Sequence, residues 1–166
     1  MINIVIPMAG AGSRFAKAGY KNPKPFIDVL GKPMICHVLD NLNIPDAKFI
    51  LLTRFEHYNN EQETVKWIKS NYKVEFVMID KLTEGAACTV LHAHRLINND
   101  TPLLIANSDQ IVDMDISEYI NDSKKRGLDG SVLCFEDNDK KWSYAKLDKN
   151  RFITEIREKD PGSRNE

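Results

Sequence analysis

Ile2-Asn3-Ile4-Val5-Ile6-Pro7-Met8-Ala9-Gly10-Ala11-Gly12-Ser13-Arg14-Phe15 passes from an apolar run, through a proline, into a string of small residues. The run reads as a short buried strand stopped at Pro7. The small residues after it would let backbone amides close around phosphate oxygens, with Arg14 adding a fixed cation. On spacing alone a plain strand-to-helix turn explains the same letters. Two other phosphate motifs fit badly. A dinucleotide fingerprint wants Gly or Ala where Phe15 stands, and no acidic residue closes the second strand at Thr53-Arg54. A P-loop needs Gly-Lys-Ser/Thr, whereas Gly31-Lys32 runs into Pro33.

Outward from that stretch, apolar runs alternate with helical patterns. A helix is expected from Pro33, where Met34, Ile35, Val38, Leu39 and Leu42 recur at helical spacing. Lys48–Leu52 reads as a buried strand, His57–Tyr72 as a helix and Val74–Ile79 as a strand. Ala86–Ile97 reads as a helix turning Val90, Leu91 and His94 to one side. Leu103–Ala106 reads as a buried strand opened by Pro102, and Ser117–Arg126 as a helix capped by Ser117 and stopped at Gly127. Three strand-like pieces follow: Ser131–Phe135, Trp142–Leu147 and Phe152–Arg157. Such alternation predicts an α/β fold, a Rossmann-like three-layer sandwich around a mostly parallel sheet.

Composition narrows the class of function. At 166 residues the chain is read as one domain, 1–166, able to bury a core without metal or disulfide. Lys and Arg total 23 against 24 Asp and Glu, a formal net charge of -1, so no overall basic field recruits nucleic acid or an anionic membrane. No apolar run approaches a bilayer span or a signal peptide, and a cytoplasmic protein is expected. Cys36, Cys88 and Cys134 fit no zinc, redox or disulfide spacing and are expected to be buried small hydrophobes. His37 and His57 are read as surface or satisfied core groups, and Trp67 and Trp142 as packing residues.

Two further segments carry chemistry. In Asn22-Pro23-Lys24-Pro25, prolines on either side of one lysine fix the backbone and aim a point charge, which suits a polyphosphate; a solvated loop lysine is the alternative. Asn107-Ser108-Asp109-Gln110 lies at the carboxyl end of a strand, where ligands of open parallel sheets gather. A carboxylate there can hold Mg²⁺, which binds through one or two carboxylates together with substrate phosphates. Asp113 and Asp115 are better read as turn or helix caps.

Pro7 to Phe15 followed by Pro23-Lys24-Pro25 resembles the signature of the nucleotidyltransferases that join a nucleoside triphosphate to a sugar phosphate. Glu84-Gly85-Ala86-Ala87, Ser108-Asp109 and Glu158-Lys159 follow in the order that family shows. The resemblance implies that Gly10, Ala11 and Gly12 wrap the triphosphate, with Met8, Ala9 and Ser13 close to the nucleotide. Arg14 would offset charge on the α-phosphate, Lys24 would reach the phosphates from the other side, and Asp109 would ligate Mg²⁺. Gly85 matches the position where the nucleobase approaches the backbone; Ala145, Glu158 and Lys159 match the acceptor contacts. The implied partners are a nucleoside triphosphate and a small phosphorylated acceptor, with no nucleic acid and no membrane. A non-catalytic nucleotide-binding module of the same fold is the alternative.

Four departures bear on substrate identity. Met8 replaces a small residue, Cys88 a glutamine near the base and Ala145 a glycine facing the sugar; Asp160 separates Glu158-Lys159 from its proline. Relatives that transfer cytidylyl groups to phosphocholine-like acceptors share the Gly-Ser-Arg-Phe wording. Members of the family continue beyond the Glu-Lys pair, whereas this sequence stops at Glu166. The expectation is a catalytic domain lacking its C-terminal portion, cut away or supplied by another chain, with self-association as a homo-oligomer.

Overall fold

The computed structural model describes residues 1–159. The chain divides into two compact units, Met1–Glu118 and a second that begins at Tyr119. The first is built on β1 (Ile2–Pro7), β4 (Ala47–Arg54), β5 (Val74–Ile79) and β6 (Leu103–Ile105). They form one parallel sheet in the order β5-β4-β1-β6, with Ile2 opposite Ala47 and Ile4 opposite both Phe49 and Leu104.

Parallel strands need their faces covered, and the sequence supplies apolar residues on both. On one face Val5, Ile50, Leu52 and Ile79 pack against Val90 of α5 (Ala86–Leu91) and against Ala93, with Leu96 and Ile97 of α6 (His94–Ile97) at its margin. The opposite face presents Phe49 and Phe76. Phe49 meets Tyr72 edge-on, next to α4 (Gln62–Asn71), and Phe76 meets Tyr58 of α3 (Phe55–Asn60). Three layers result. Ile4, Val5 and Ile6 are fully enclosed, each such burial contributing about 1.5–3 kcal/mol.

Between β1 and β4 the chain forms α1 (Ser13–Lys17), a single 3-10 turn at Lys24–Phe26, the hairpin of β2 (Asp28–Val29) and β3 (Lys32–Pro33), and α2 (Met34–Asn41). α2 buries Ile35, Cys36, Val38 and Leu39. Its Asp40 accepts hydrogen bonds from Lys32 and from the Tyr72 hydroxyl. Burial opposes ionisation of Asp40, yet those two bonds outweigh it and hold the carboxyl below its ordinary range.

Several expectations change in detail. The helix read over His57–Tyr72 is two, broken at Glu61, whose φ of -111° and ψ of 36° leave the helical range. The one read over Ala86–Ile97 breaks at Ala93, so the buried side runs Val90-Ala93-Leu96-Ile97, and Leu91 and His94 face outward. β6 is an edge strand instead of a buried one, Leu103 and Ile105 being 42% and 53% exposed. α7 (Ile116–Lys125) is capped by Asp115, whose Oδ1 accepts from Ser117 N at 2.8 Å, and not by Ser117. It ends as expected at Gly127, whose φ of 62° is the left-handed turn that glycine favours.

In the second unit Tyr144–Leu147 (β7) and Ile153–Arg157 (β8) form an antiparallel hairpin. Ser131–Phe135 is no strand: Val132, Leu133 and Phe135 are exposed, and Phe135 instead stacks edge-on with Trp142. Asp160 and Pro161–Glu166 lie outside the described residues. No helix among the described residues is long and apolar enough to cross a membrane.

His57 is buried, and its Nδ1 finds no hydrogen-bond partner, contrary to the expectation of a satisfied group. Burial, reinforced by the Arg54 charge, pushes its pKa down and keeps the ring neutral. Only one of the cysteines is buried: Cys36 lies in α2, whereas Cys88 and Cys134 are exposed. Burial pushes the Cys36 thiol up to about 11, the Lys32 charge offsetting only part of the effect. Native protein treated with a thiol reagent at pH 8 should therefore take label quickly at Cys88 and Cys134 only. Cys36 should react after denaturant is added, as intact-mass spectrometry will show; rapid label at all three sites in native protein would contradict this packing.

Candidate functional site

At the carboxyl end of β1 the chain leaves the sheet at Met8, whose amide still bonds to the Leu52 carbonyl at 2.8 Å. It then turns through Gly10 and Gly12 into α1. Gly12 adopts φ 59° and ψ 24°, and a Cβ there would sit 3.4 Å from the Lys24 Cβ. The left-handed backbone calls for glycine, and the Lys24 segment packs at contact distance beside it. The Gly12 carbonyl accepts from Phe15 N at 2.9 Å and Ala16 N at 3.1 Å, which fixes the direction in which Arg14 leaves the helix.

These segments enclose a cleft of about 290 Å³. Its walls carry Met8, Gly10 and Gly12 from the loop, Ser13, Arg14 and Phe15 from the start of α1, Lys24 beside them, and Asn107, Ser108 and Asp109 from the turn after β6. The three residues read from sequence as catalytic, Arg14, Lys24 and Asp109, thus share one wall system although β4, β5 and the five helices α2 to α6 separate Lys24 from Asp109 along the chain. Lys24 Nζ forms an ion pair with Asp109 Oδ2 across the cleft, with 26% of the lysine side chain and 38% of the aspartate exposed.

The Asp109 turn is held from several sides. Ala106 N bonds to the Val5 carbonyl at 3.0 Å, continuing the β1–β6 ladder. Asn107 Nδ2 donates to Gln110 Oε1 at 2.7 Å. Asn41, at the end of α2, clamps the same loop twice: its Nδ2 donates to the Val112 carbonyl and its Oδ1 accepts from Val112 N, both at 2.9 Å. Sequence reading passes over Asn41 because nothing in its spacing points to a partner so distant in the chain. Phe15 and Pro25 also line the cleft without having been assigned a role there.

Other positions fall elsewhere. Ala9 belongs to the core cluster with Val5, Ile50 and Val90, and Ala11 does not line the cleft. Gly85 stands outside the cleft, at the start of α5, in extended backbone (φ -178°). Its carbonyl accepts from Thr89 N at 3.0 Å, Thr89 Oγ1 at 3.1 Å and Thr83 Oγ1 at 3.3 Å. Ala145, Glu158 and Lys159 belong to the second unit. There Ala145 pairs with Ile156 in the hairpin, and Lys159 Nζ lies 3.4 Å from Glu158 Oε1.

The cleft sets two cations, Arg14 and Lys24, beside one carboxylate, an arrangement that can hold an anion. Among the described residues no group of three His, Cys, Asp or Glu side chains converges. A carboxylate alone suits Mg²⁺, which keeps several waters and shares substrate phosphates. Asp109, with Asn107 and Ser108 beside it, fits that requirement.

Comparison with known proteins points to one family. The nucleotidyl transferase family model matches residues 4–164. The bifunctional protein GlmU of Methanococcus vannielii is 31% identical over 127 residues, covering 76% of this chain and 29% of that protein. Mannose-1-phosphate guanyltransferase of Yarrowia lipolytica is 28% identical over 134 residues, covering 78% and 36%. The chain therefore spans about a third of the length of these curated relatives. The crystal structure of a nucleoside-diphosphate-sugar pyrophosphorylase from Vibrio cholerae aligns with a TM-score of 0.74 at 26% identity, covering 96% of this chain and 68% of that one. With the family pattern running along nearly all of the chain and its glycine loop, lysine and aspartate gathered on one cleft, this protein belongs to the nucleotidyl transferase family.

Proposed function

We propose that the chain carries the transfer of a nucleoside monophosphate group from a nucleoside triphosphate to a small phosphorylated acceptor, with release of pyrophosphate. The observation that carries this reading is the cleft at the ends of β1 and β6, where Arg14, Lys24 and Asp109 meet. In the reaction an oxygen of the acceptor phosphate attacks the α-phosphorus in line. The bond from the α-phosphorus to the bridging oxygen breaks, and its electron pair leaves with pyrophosphate. No covalent nucleophile from the protein is needed, since an ionised phosphate already is one. Positioning and charge neutralisation remain for the side chains.

Gly10 and Gly12 leave the floor of the cleft free of side chains, so that a polyphosphate can approach the backbone there. Arg14 meets charge that grows on the α-phosphate as it becomes pentacoordinate. Lys24 gives up Asp109 for the phosphates, and Asp109 with its neighbours would hold Mg²⁺. When bound, that ion supplies further neutralisation of phosphate charge. Mannose-1-phosphate guanyltransferase and nucleoside-diphosphate-sugar pyrophosphorylase, the names borne by relatives, support a sugar phosphate as acceptor. Pyrophosphate release across a panel of nucleoside triphosphates and sugar 1-phosphates tests the reading. Triphosphate binding without release in any combination would leave a binding module and overturn the transferase.

Two substitutions divide the labour. Arg14→Ala should lower kcat by about 10²-fold or more, with a smaller change in triphosphate affinity, because its charge is needed most in the transition state. A rate of pyrophosphate release within a few-fold of the parent would remove that role. Asp109→Asn should abolish most of the magnesium dependence of triphosphate binding in a calorimetric titration and leave the melting temperature nearly unchanged. Asp113→Asn, altering a carboxylate that does not line the cleft, should titrate like the parent.

A further inference from the structure

Lys24 has a second partner besides Asp109. Its Nζ stands over the ring of Phe15, 5.7 Å from the centroid, within the range of a cation–π contact. The Phe15 ring is braced in turn by Tyr20, edge-on, with centroids 5.6 Å apart and planes at 66°. Tyr20 N bonds to the Phe15 carbonyl at 3.1 Å, so the two rings are tied by backbone as well as by contact. Phe15 lines the cleft and is half-buried.

The two partners of Lys24 differ in what ligands do to them. Asp109 is a carboxylate that a divalent cation competes for, and a bound cation takes it away from the lysine. A neutral ring offers neither a phosphate nor a metal ion anything to take, while its negative face still attracts the ammonium. Long lysine side chains lose considerable rotamer freedom when ordered, and a contact that orders the side chain beforehand spares that loss on binding. The flanking Pro23 and Pro25 restrict the backbone only; beyond Cβ, Phe15 does the aiming.

We infer that Phe15 is a positioning residue acting through Lys24: its ring holds the ammonium over the cleft when Asp109 turns to a cation. The inference rests on the reading that the cleft takes a polyphosphate. At a partly exposed site such a contact changes affinity by about two- to fivefold. A bare packing role predicts something else, since leucine fills most of the same space and would serve.

Calorimetric titration of the full chain with inorganic tripolyphosphate and Mg²⁺ tests this. Phe15→Leu should weaken binding about two- to fivefold, and Phe15→Tyr, which keeps the ring face, should bind like the parent. In a Lys24→Gln background Phe15→Leu should cost nothing further, because the residue through which it acts is gone. Equal losses in both backgrounds, parent-like binding by Phe15→Leu, or loss in Phe15→Tyr as large as in Phe15→Leu would each overturn the assignment. Melting curves accompany every variant, and Phe15→Met replaces Phe15→Leu if the latter unfolds early. A parent chain that binds no tripolyphosphate would overturn the phosphate reading of the cleft, and the role of Phe15 with it. Binding by the parent with additive losses would overturn the role of Phe15 alone.

Discussion

Everything in the first unit depends on the confinement of β1. The strand is paired with β4 on one side and β6 on the other, and Ile4, Val5 and Ile6 have no exposed surface. A strand enclosed in this way can present its chain to solvent only at its ends. All its partners run parallel, so the carboxyl ends of β1, β4 and β6 come out on the same side, where ligands of such sheets bind. The Gly12 turn and the Asp109 turn are therefore neighbours by topology before any side chain of the site is considered. The tight turn at Gly12 brings the Lys24 segment into contact with the same place.

Magnitudes separate what holds the fold from what serves the site. The Lys24–Asp109 pair is partly exposed on both sides, and pairs of that kind contribute about 0–1 kcal/mol. It is thus a minor stabilising element and a poor reason for either residue to be where it is. The apolar residues of the central strand each contribute more than that pair does. The Lys32–Asp40–Tyr72 cluster, by contrast, links β3 and α2 to the end of α4 through two hydrogen bonds on one carboxylate. There the carboxyl is held ionised and the tyrosine hydroxyl is pushed up by burial and by Asp40, which keeps it a donor.

Legibility from sequence followed the same division. β1 and β4 were readable because strands enclosed in a sheet leave largely apolar runs, and β5, at the sheet edge, because Val74, Phe76, Val77 and Ile79 still give an apolar run of strand length. That Arg14, Lys24 and Asp109 would gather at one place was legible from their positions after β1, between two prolines and at the end of β6, where ligands of parallel sheets bind. The burial of Ala9 was not legible, since a small residue in a loop motif and a small residue in a core look alike; packing against Val90 shows it. The helix breaks at Glu61 and Ala93 have no proline or glycine to announce them. Ser131–Phe135 has strand composition yet no strand partner among the described residues, and pairing is a property of two segments.

The Asp109 turn shows why the residues that aim a site are harder to read than those that act in it. β6 contributes only three paired residues and lies at the sheet edge, so the ladder alone holds its far end loosely. A carboxylate that pairs with an ammonium, and that under the proposed function would also hold a metal ion, needs its backbone fixed to within a fraction of an ångström. The two-way bond between the Asn41 amide and the Val112 backbone supplies that restraint from a different layer, tying the loop to α2, whose apolar face is buried in the core. An asparagine in the last turn of a helix carries no mark of this in its own neighbourhood. Its partner is a backbone unit, which any residue but proline at position 112 could offer, so neither side of the contact has a signature. Precision at the site is thus borrowed from the packed helix layer, through a bond that only the folded chain reveals.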